Sequence, residues 1–330
     1  MKFNKIYQGH AIEVQKTFPD ECVDCVVTSP PYWNMRNYAT DPIIWGGDKS
    51  CDHEWGPKIL TGQTTPQTKY QAAKEAFTQT GSCFCLKCGA WKGELGAEPT
   101  IALFVNNLCD VFDETLRILK STGSCFVNMG DTYYSNHGSG NPNKVNREVT
   151  DQLLSRKNRT KAKELPEHCL CMIPYRFSIE MINRGWILKN LIQWEKDNAM
   201  PQSAKRRFTV NFEPIFFFVK SNDYRFEQQF EPCVDESNKE GRNMRCIWRI
   251  NTEGSRVKHW AAYPRKLVQI PIAATCPPDG VVLDPFVGTG TTCRVAYDLD
   301  RKYIGIDLNP NFVEISERRL DQKNIFEMMK

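Results

Sequence analysis

The chain has 330 residues, which is enough for one large α/β domain with insertions or for two domains. Hydrophobic residues make up 41% of the chain, and its apolar runs are far too short to span a membrane. The net charge of +4 creates no strong overall field, so a surface for nucleic acid has to come from local basic patches.

Fourteen cysteines do not indicate a disulfide scaffold in a chain of this size, because such scaffolds are typical of small secreted proteins. The first five residues lack the apolar core of a signal peptide. We therefore expect a cytoplasmic protein with some of its cysteines in a metal site.

The first elements predicted are a strand over residues 5–8, a turn at Gly9 and a helix over 11–18. Residues 23–27 are typical of a buried strand, which the prolines that follow cannot continue. Ligands bind at strand ends in open α/β sheets, so we expect Ser29 at such an edge. A planar heterocycle would stack on Tyr32 or Trp33 and donate its amino hydrogens to Ser29 and the Pro30 carbonyl. The alternative is a turn with two core aromatics.

Residues 34–99 are expected to form an insertion with a metal site. Thiolates and imidazole in groups of four suit tetrahedral zinc, and a Cys-x-x-Cys-Gly knuckle turns backbone amides toward the sulfurs. Four protein ligands leave no position for water, so the predicted zinc is structural. The alternative is a set of reduced surface cysteines with a buried histidine. The simplest ligand set is Cys51, His53, Cys85 and Cys88, with Cys83 as a substitute.

The middle of the chain predicts a helix that begins at 101 and ends near 121–123, and then a strand over 124–129. This strand delivers Asp131 to the ligand-binding edge, where it either touches the target or caps a turn. Residues 134–168 are polar, and between positions 144 and 163 they carry seven Lys or Arg and two acids. Such a loop suits phosphate contact, and a solvated loop is an equal alternative.

A helix over 173–184, a strand over 186–194 and a strand over 212–220 are predicted next. Residues 221–258 are expected to be irregular, with several arginines around Trp248. Arginine reads guanine edges in the major groove, so this is the predicted target-recognition segment. The alternative is a basic connector without base contacts.

The C-terminal part predicts a helix over 264–274, a strand at 281–284, a glycine turn and a helix start. Gly288 and Gly290 let the backbone approach a ligand, and a helix N-terminus offers free N–H groups. A further strand ends at Asp307, an acid suited to ribose hydroxyls. A helix over 310–320 follows.

These two motifs, Ser-Pro-Pro-Tyr at 29–32 and Asp-Pro-Phe-Val-Gly-Thr-Gly-Thr-Thr at 284–292, resemble those of the β group of DNA amino-methyltransferases. The resemblance covers nearly the whole chain. It implies a Rossmann-like α/β S-adenosylmethionine-dependent methyltransferase fold, circularly ordered with the catalytic motif before the cofactor motif, plus a small zinc-binding insertion. It also implies a flipped base in double-stranded DNA as the substrate.

The resemblance assigns roles residue by residue. The predicted catalytic residues are Ser29, Pro30, Pro31 and Tyr32. The predicted cofactor residues are Thr28, Tyr263, Pro264, Asp284, Phe286, Gly288, Gly290, Thr291 and Asp307. The predicted DNA contacts are Trp33, Lys196, Asn198, Arg206, Arg207, Arg242, Arg245 and Arg249.

The loop after residue 194 resembles a family loop near the flipped base. This chain has Asp197 where proline is usual and Gln202 where glutamate is usual. Ser29 resembles the cytosine-N4 enzymes, whereas adenine-N6 enzymes more often have Asp or Asn at this position. We therefore predict cytosine-N4 methylation, with adenine-N6 as the alternative.

Other classes are an RNA or protein-amide methyltransferase and a catalytically dead, zinc-bearing DNA-binding protein. A cognate restriction nuclease and a homodimer are further expected associations. The predicted divisions are a catalytic-motif part (1–33), the insertion (34–99), the rest of the catalytic half (100–220), the target-recognition segment (221–258) and the cofactor half (259–330).

Overall fold

The computed structural model describes residues 1–34, 40–58, 82–134, 164–202, 204–232, 241–253 and 263–327. Residues 59–81 of the predicted insertion, most of the basic loop 134–168, and the segment 254–262 lie outside the described residues. The chain divides into two compact units, of which the first comprises residues 1–30, 110–130 and 178–330. The second comprises residues 31–109 and 131–177. Across the part of the chain that is described, no helix is long and apolar enough to cross a membrane.

The first unit is built on an eight-stranded sheet. Its strands, in spatial order, are β1 (Lys5–Gln8), β13 (Lys302–Asp307), β12 (Val281–Asp284), β2 (Val23–Thr28), β6 (Leu119–Asn128), β8 (Phe212–Val219), β7 (Ile187–Glu195) and β11 (Ile247–Arg249). Neighbours in this sheet pair in parallel except β8, which is antiparallel to β6 and β7. The other strands therefore end at one side, which we name the carboxyl edge.

The central strands form because their sequences are almost continuously apolar, as expected for strands covered on both faces. Every residue of β2 is buried, and so are the last six of β8. The rings of Phe126 on β6 and Phe217 on β8 stack with centroids 4.4 Å apart. Such pairs add stability beyond simple burial.

The predicted helices are confirmed, with small differences at their ends. The first helix ends at position 16 instead of 18, and the last helix continues beyond position 320. β6 begins five residues earlier than predicted, because Leu119 already pairs with Val23 across a register shift. The helices are α1 (Ala11–Lys16), α2 (Ile101–Ile118), α3 (Ile173–Asn183), α4 (Arg265–Thr275), α5 (Thr291–Asp298) and α6 (Pro310–Glu327).

The second unit contains a small antiparallel sheet that the sequence did not predict. Its order is β3 (Ile43–Trp45), β5 (Trp91–Gly93) and β4 (Cys83–Phe84). Trp91 is almost fully buried, at 1% exposure, which makes it a central side chain of this unit. The strands have only two or three residues, too few for an alternating pattern to be recognised.

The segment 221–258 is more regular than predicted. A two-stranded ribbon pairs β9 (Phe230–Glu231) with β10 (Arg242–Asn243). β11 joins the main sheet as its edge strand, and its Trp248 is buried at 6% exposure. The expectation of an irregular segment was therefore wrong for these residues.

Candidate active site

The carboxylate of Asp284, at the end of β12, is the centre of a buried hydrogen-bond network. Its Oδ1 accepts hydrogen bonds from the Thr28 hydroxyl (2.6 Å) and the Phe286 amide (3.0 Å). Its Oδ2 accepts hydrogen bonds from the hydroxyls of Thr292 (2.6 Å) and Tyr263 (3.0 Å). Burial raises the pKa of Asp284, and these hydrogen bonds oppose that shift. The carboxylate therefore binds groups of the protein itself and positions them.

This network connects two motifs that lie 256 residues apart in the sequence, since Thr28 and Asp284 share a direct hydrogen bond. Thr28 is the last residue of β2, and the half-buried Ser29 follows it at the carboxyl edge. Ser29 and Pro30 belong to the first unit, whereas Pro31 and Tyr32 belong to the second. The predicted catalytic motif therefore crosses the boundary between the units.

The two glycines of the turn after β12 have different tasks. Both have positive φ, 52° at Gly288 and 81° at Gly290. A Cβ on Gly290 would lie 2.8 Å from the Cβ of Ser316, so packing requires glycine there. A Cβ on Gly288 would meet nothing closer than the Phe286 carbonyl at 4.0 Å. Gly288 therefore presents open backbone, which is what a bound ligand needs.

Asp307 ends β13 beside this turn. Its carboxylate accepts hydrogen bonds from the amides of Gly288 (3.0 Å) and Asn309 (2.8 Å). Its carbonyl accepts one from the amide of Gly9 (3.0 Å). Burial raises the pKa of Asp307 to about 7 in spite of the backbone hydrogen bonds. A half-buried acid at this place can accept hydrogen bonds from a ligand.

The remaining predicted cofactor residues lie around the same turn and at α4. Thr291 is the buried first residue of α5, where backbone N–H groups have no partner within the helix. Pro264 is the N-cap of α4, and Tyr263 before it reaches Asp284. Phe286 is half-buried.

In the second unit, residues 94–98 accept hydrogen bonds from Trp33 and Asn34, the two residues that follow Tyr32. The indole N–H of Trp33 donates to the Glu98 carbonyl (2.9 Å), and the Asn34 amide donates to the Gly96 carbonyl (2.7 Å). The Glu98 carboxylate accepts hydrogen bonds from the Gly96 amide (2.8 Å) and the Asn107 side chain (3.1 Å). Burial raises the pKa of Glu98 to about 7.

Trp33 itself has an exposure of only 8%. Its ring and its indole N–H are both used inside the second unit. The prediction of Trp33 as a DNA contact is corrected accordingly, because a buried and hydrogen-bonded indole is a packing residue.

Asp131 follows β6 and was left without a role by its sequence. Its Oδ1 accepts hydrogen bonds from the amides of Thr132 (2.8 Å) and Ile173 (3.2 Å). Its Oδ2 is buried and has no hydrogen-bond partner among the described residues. Burial raises the pKa of Asp131. Asp131 therefore positions the backbone at the start of α3.

The structure brings together the four residues predicted to bind metal. Their ligand atoms all lie within 4.8 Å of one another. The sulfurs of Cys51 and Cys85 are 3.9 Å apart, and the sulfur of Cys88 is 3.4 Å from Nδ1 of His53. Zn–S bonds of about 2.3 Å at tetrahedral angles separate two sulfurs by about 3.8 Å, so the spacing fits zinc. Cys83 is not part of this group.

Two further predicted DNA contacts are engaged inside the first unit. The Lys196 amine pairs with Glu213 and lies 4.1 Å from the ring centroid of Trp194. The Asn198 side chain accepts a hydrogen bond from the Thr252 amide (3.0 Å) and donates one to its carbonyl (3.1 Å). Both side chains hold the base of a loop, and their role as DNA contacts stays a prediction.

The predicted arginines of the 221–258 segment form ion pairs. Arg242 and Arg245 lie 2.8 and 2.6 Å from the same Glu231 oxygen. Arg249 lies 2.9 Å from Glu195. These are exposed pairs, which water and salt weaken, so the guanidinium groups keep access to a partner.

Arg206 and Arg207 are exposed, as their predicted role requires. Sequence reasoning missed Thr292 and Glu98. The Thr-Thr after the glycine turn was a signal for the first. Nothing in the sequence singles out Glu98, whose partners are distant or in the backbone.

A mixed sheet with one antiparallel strand, together with a glycine turn and a strand-end acid, places the chain in the class of α/β methyltransferases. The N6/N4 methyltransferase family, described as a DNA methylase, matches residues 23–318. The chain belongs to this family, which confirms the resemblance inferred from the two motifs.

The type II methyltransferase M.Cfr9I of Citrobacter freundii is 31% identical over 317 residues, covering 96% of this chain and 87% of the relative. The structure of the PvuII DNA methyltransferase (cytosine-N4-specific) aligns with a TM-score of 0.59 at 18% identity, covering 96% and 89% of the two chains. A putative DNA modification methylase from Thermus thermophilus, complexed with S-adenosyl-L-methionine, aligns with a TM-score of 0.55 at 19% identity, covering 96% and 93%. Both solved structures share the fold.

Proposed function

We propose that this DNA methyltransferase transfers a methyl group from S-adenosylmethionine to the N4 amine of an extruded cytosine. The observation that carries the proposal is the hydrogen bond between Thr28 and Asp284, because it joins the strand of the Ser-Pro-Pro-Tyr motif to the strand of the glycine turn. Ser29 is the feature that favours cytosine. The PvuII enzyme, whose fold this chain shares, is cytosine-N4-specific by its description.

The residues that would hold the cofactor fit it. The open backbone at Gly288 and the N-terminus of α5 offer N–H groups, and Asp307 offers an acceptor for ribose hydroxyls. Asp284 keeps Thr28, Tyr263 and Thr292 in place around this cradle. When bound, S-adenosylmethionine supplies a methyl group on a positively charged sulfur.

The protein's task is to make the amine nucleophilic and hold it in line. The lone pair of an exocyclic amine is delocalised into the ring. Ser29 Oγ and the Pro30 carbonyl would accept hydrogen bonds from the two N–H groups of the amine, which localises the lone pair on nitrogen. Tyr32 would stack on the extruded base, and positioning supplies much of the rate. No covalent intermediate is required.

The experiment is mass spectrometry of nucleosides from plasmid DNA treated with the protein and S-adenosylmethionine. We expect N4-methylcytosine with the wild type and none with Ser29→Ala, which should still bind the cofactor in calorimetry. N6-methyladenine would leave the mechanism in place and overturn the choice of base. Sequencing of the methylated plasmid then maps the recognition site.

We further propose that Cys51, His53, Cys85 and Cys88 bind a structural zinc ion. The support is their mutual spacing and the backbone amides of Lys87 and Cys88, which hydrogen-bond to the Cys85 sulfur. Metal analysis of the purified protein should give about one equivalent of zinc. A value below about half an equivalent would contradict the site.

The remaining expectations stay proposals of the same function. The order of the motifs supports a circularly ordered domain, and the arginines of residues 221–258 support target recognition there. A restriction nuclease that cleaves the same sequence is the natural partner of a type II methyltransferase, and a homodimer is the proposed assembly. Size-exclusion chromatography with light scattering tests the dimer.

A further inference from the structure

The loop that connects β7 to β8, residues 196–211, exposes an unusual amount of apolar surface. Phe208 is 97% exposed and Met200 is 79% exposed, the two highest values among the large hydrophobic side chains of the described residues. Val210 is exposed at 38%. Exposed apolar side chains gathered in one short segment indicate a binding surface.

The same loop is positively charged. Residues 199–211 contain Lys205, Arg206 and Arg207 and no acid. All three basic residues are exposed and directly precede Phe208. An aromatic side chain beside three cations matches a partner that is polyanionic outside and aromatic inside, which is the chemistry of duplex DNA.

The base of the loop is fixed while its apolar side chains face solvent. The Lys196 amide donates to the Asn211 carbonyl (2.8 Å), which closes the loop. The side-chain amide of Asn198 accepts a hydrogen bond from the Thr252 amide and donates one to the Thr252 carbonyl. A closed base restricts the loop before binding, so less conformational entropy is lost when its tip is ordered.

The loop lies at the carboxyl edge of the sheet, because β7 ends there and the antiparallel β8 begins there. β8 is separated from β2, which leads to Ser29, by β6 alone. Two strand spacings are about 10 Å. The root of the loop is therefore near the end of the strand that carries the predicted catalytic serine.

We propose that residues 204–210 form a DNA-inserting loop, in which Phe208 enters the base stack at the space left by the extruded cytosine. Lys205, Arg206 and Arg207 bind the phosphates beside that space. The proposal rests on the proposed function, since only an enzyme that extrudes a base creates this space. An aromatic side chain in that space would stack on the neighbouring bases.

The test compares Phe208→Ala and Phe208→Trp in the full-length protein. The probe is a duplex with the mapped site in which 2-aminopurine replaces the target base, bound with S-adenosylhomocysteine. With the wild type, the fluorescence should rise on binding as the base leaves the stack. Phe208→Ala should lose most of this rise and reduce kcat/KM for DNA about 5- to 150-fold, the range expected for one base–aromatic contact. Phe208→Trp should keep both.

The matched control is Phe3→Ala. Phe3 is 43% exposed and precedes β1, at the opposite side of the sheet from the carboxyl edge. It should behave as the wild type. The melting temperature of Phe208→Ala should also be unchanged, because its side chain makes little contact with the fold.

Two results would overturn the inserting role. One is a Phe208→Ala enzyme with wild-type kcat/KM. The other is a Phe208→Ala enzyme that binds DNA more weakly but gives the wild-type fluorescence per bound complex, which would make Phe208 a surface contact. If the wild type methylates no DNA, both the proposed function and the inserting role fail. If the wild type methylates DNA and Phe208→Ala has the same kcat/KM, only the inserting role fails.

Discussion

At the scale of single residues, Asp307 should make cofactor binding depend on pH. Burial raises its pKa to about 7. Ribose hydroxyls donate to the ionised carboxylate more strongly than to the acid. Cofactor affinity should therefore increase as pH rises from about 6 to 8 and then level off. Calorimetric titration with S-adenosylmethionine across this range measures it.

The raised pKa of Asp307 also makes the stability of the fold depend on pH. Stability should decrease as pH rises, whereas cofactor affinity should increase. A carboxyl whose folded pKa exceeds its unfolded value of 3.8 stabilises the protein below that value, and this contribution is lost as pH rises through about 7. Asp307→Asn is the control, because an amide does not titrate in this range. An affinity for the cofactor that keeps the full pH dependence in this variant would show that another group is responsible.

The role of Asp284 could be predicted only in part from the sequence. Its motif correctly placed it at the end of a strand beside the glycine turn. Its predicted role as a cofactor contact depended on partners that the sequence does not reveal, since Thr28 is 256 and Tyr263 is 21 positions away. All four donors come from the protein, so Asp284 acts by positioning them.

At the scale of elements, the segment 94–98 should control the catalytic motif through Glu98. Glu98→Ala removes the acceptor of the buried Gly96 amide and the Asn107 side chain, and each unsatisfied group costs about 1–3 kcal/mol. The segment that holds Trp33 and Asn34 should then loosen. We expect kcat to fall at least about tenfold, the factor that corresponds to 1.4 kcal/mol in the transition state.

Glu98→Gln is the matched variant, because its amide oxygen still accepts from Gly96. It should retain most of the activity, and both variants should bind the cofactor with wild-type affinity. Single-turnover methyl transfer and calorimetry separate these quantities. Equal kcat in the alanine variant and the wild type would show that segment 94–98 has no influence on the motif.

Elements were predicted well where the pattern was long. Helix α2 and strand β8 follow from repeated apolar residues. Strand β8 matches its expected bounds within about one residue, whereas α2 ends at Ile118, before its expected end near 121–123. The short strands β3, β4, β5 and β11 have only two or three residues. They form because distant segments pair, as Trp45 does with Trp91, and a local pattern cannot encode such pairing.

At the scale of the whole molecule, the predicted cofactor residues and the metal ligands belong to different units. Thr28, Asp284, Gly288 and Asp307 are in the first unit, and the four-ligand cluster at residues 51–88 is in the second. The catalytic motif passes from one to the other between Pro30 and Pro31. We therefore expect methyl transfer to depend on both units and cofactor binding to depend on the first.

Removal of zinc should then abolish methylation without abolishing cofactor binding. Structural zinc contributes directly to folding, so Cys88→Ser or a strong chelator should unfold the second unit around the cluster. Hydrogen exchange should increase in residues 40–58 and 82–98, while the affinity for S-adenosylmethionine changes less than about twofold, which is below about 0.5 kcal/mol. Cys246→Ser, at an exposed cysteine of the first unit, is the control.

A parallel loss of cofactor affinity would show that the two units are energetically coupled. Unchanged hydrogen exchange in the chelated protein would show that the cluster needs no metal to fold.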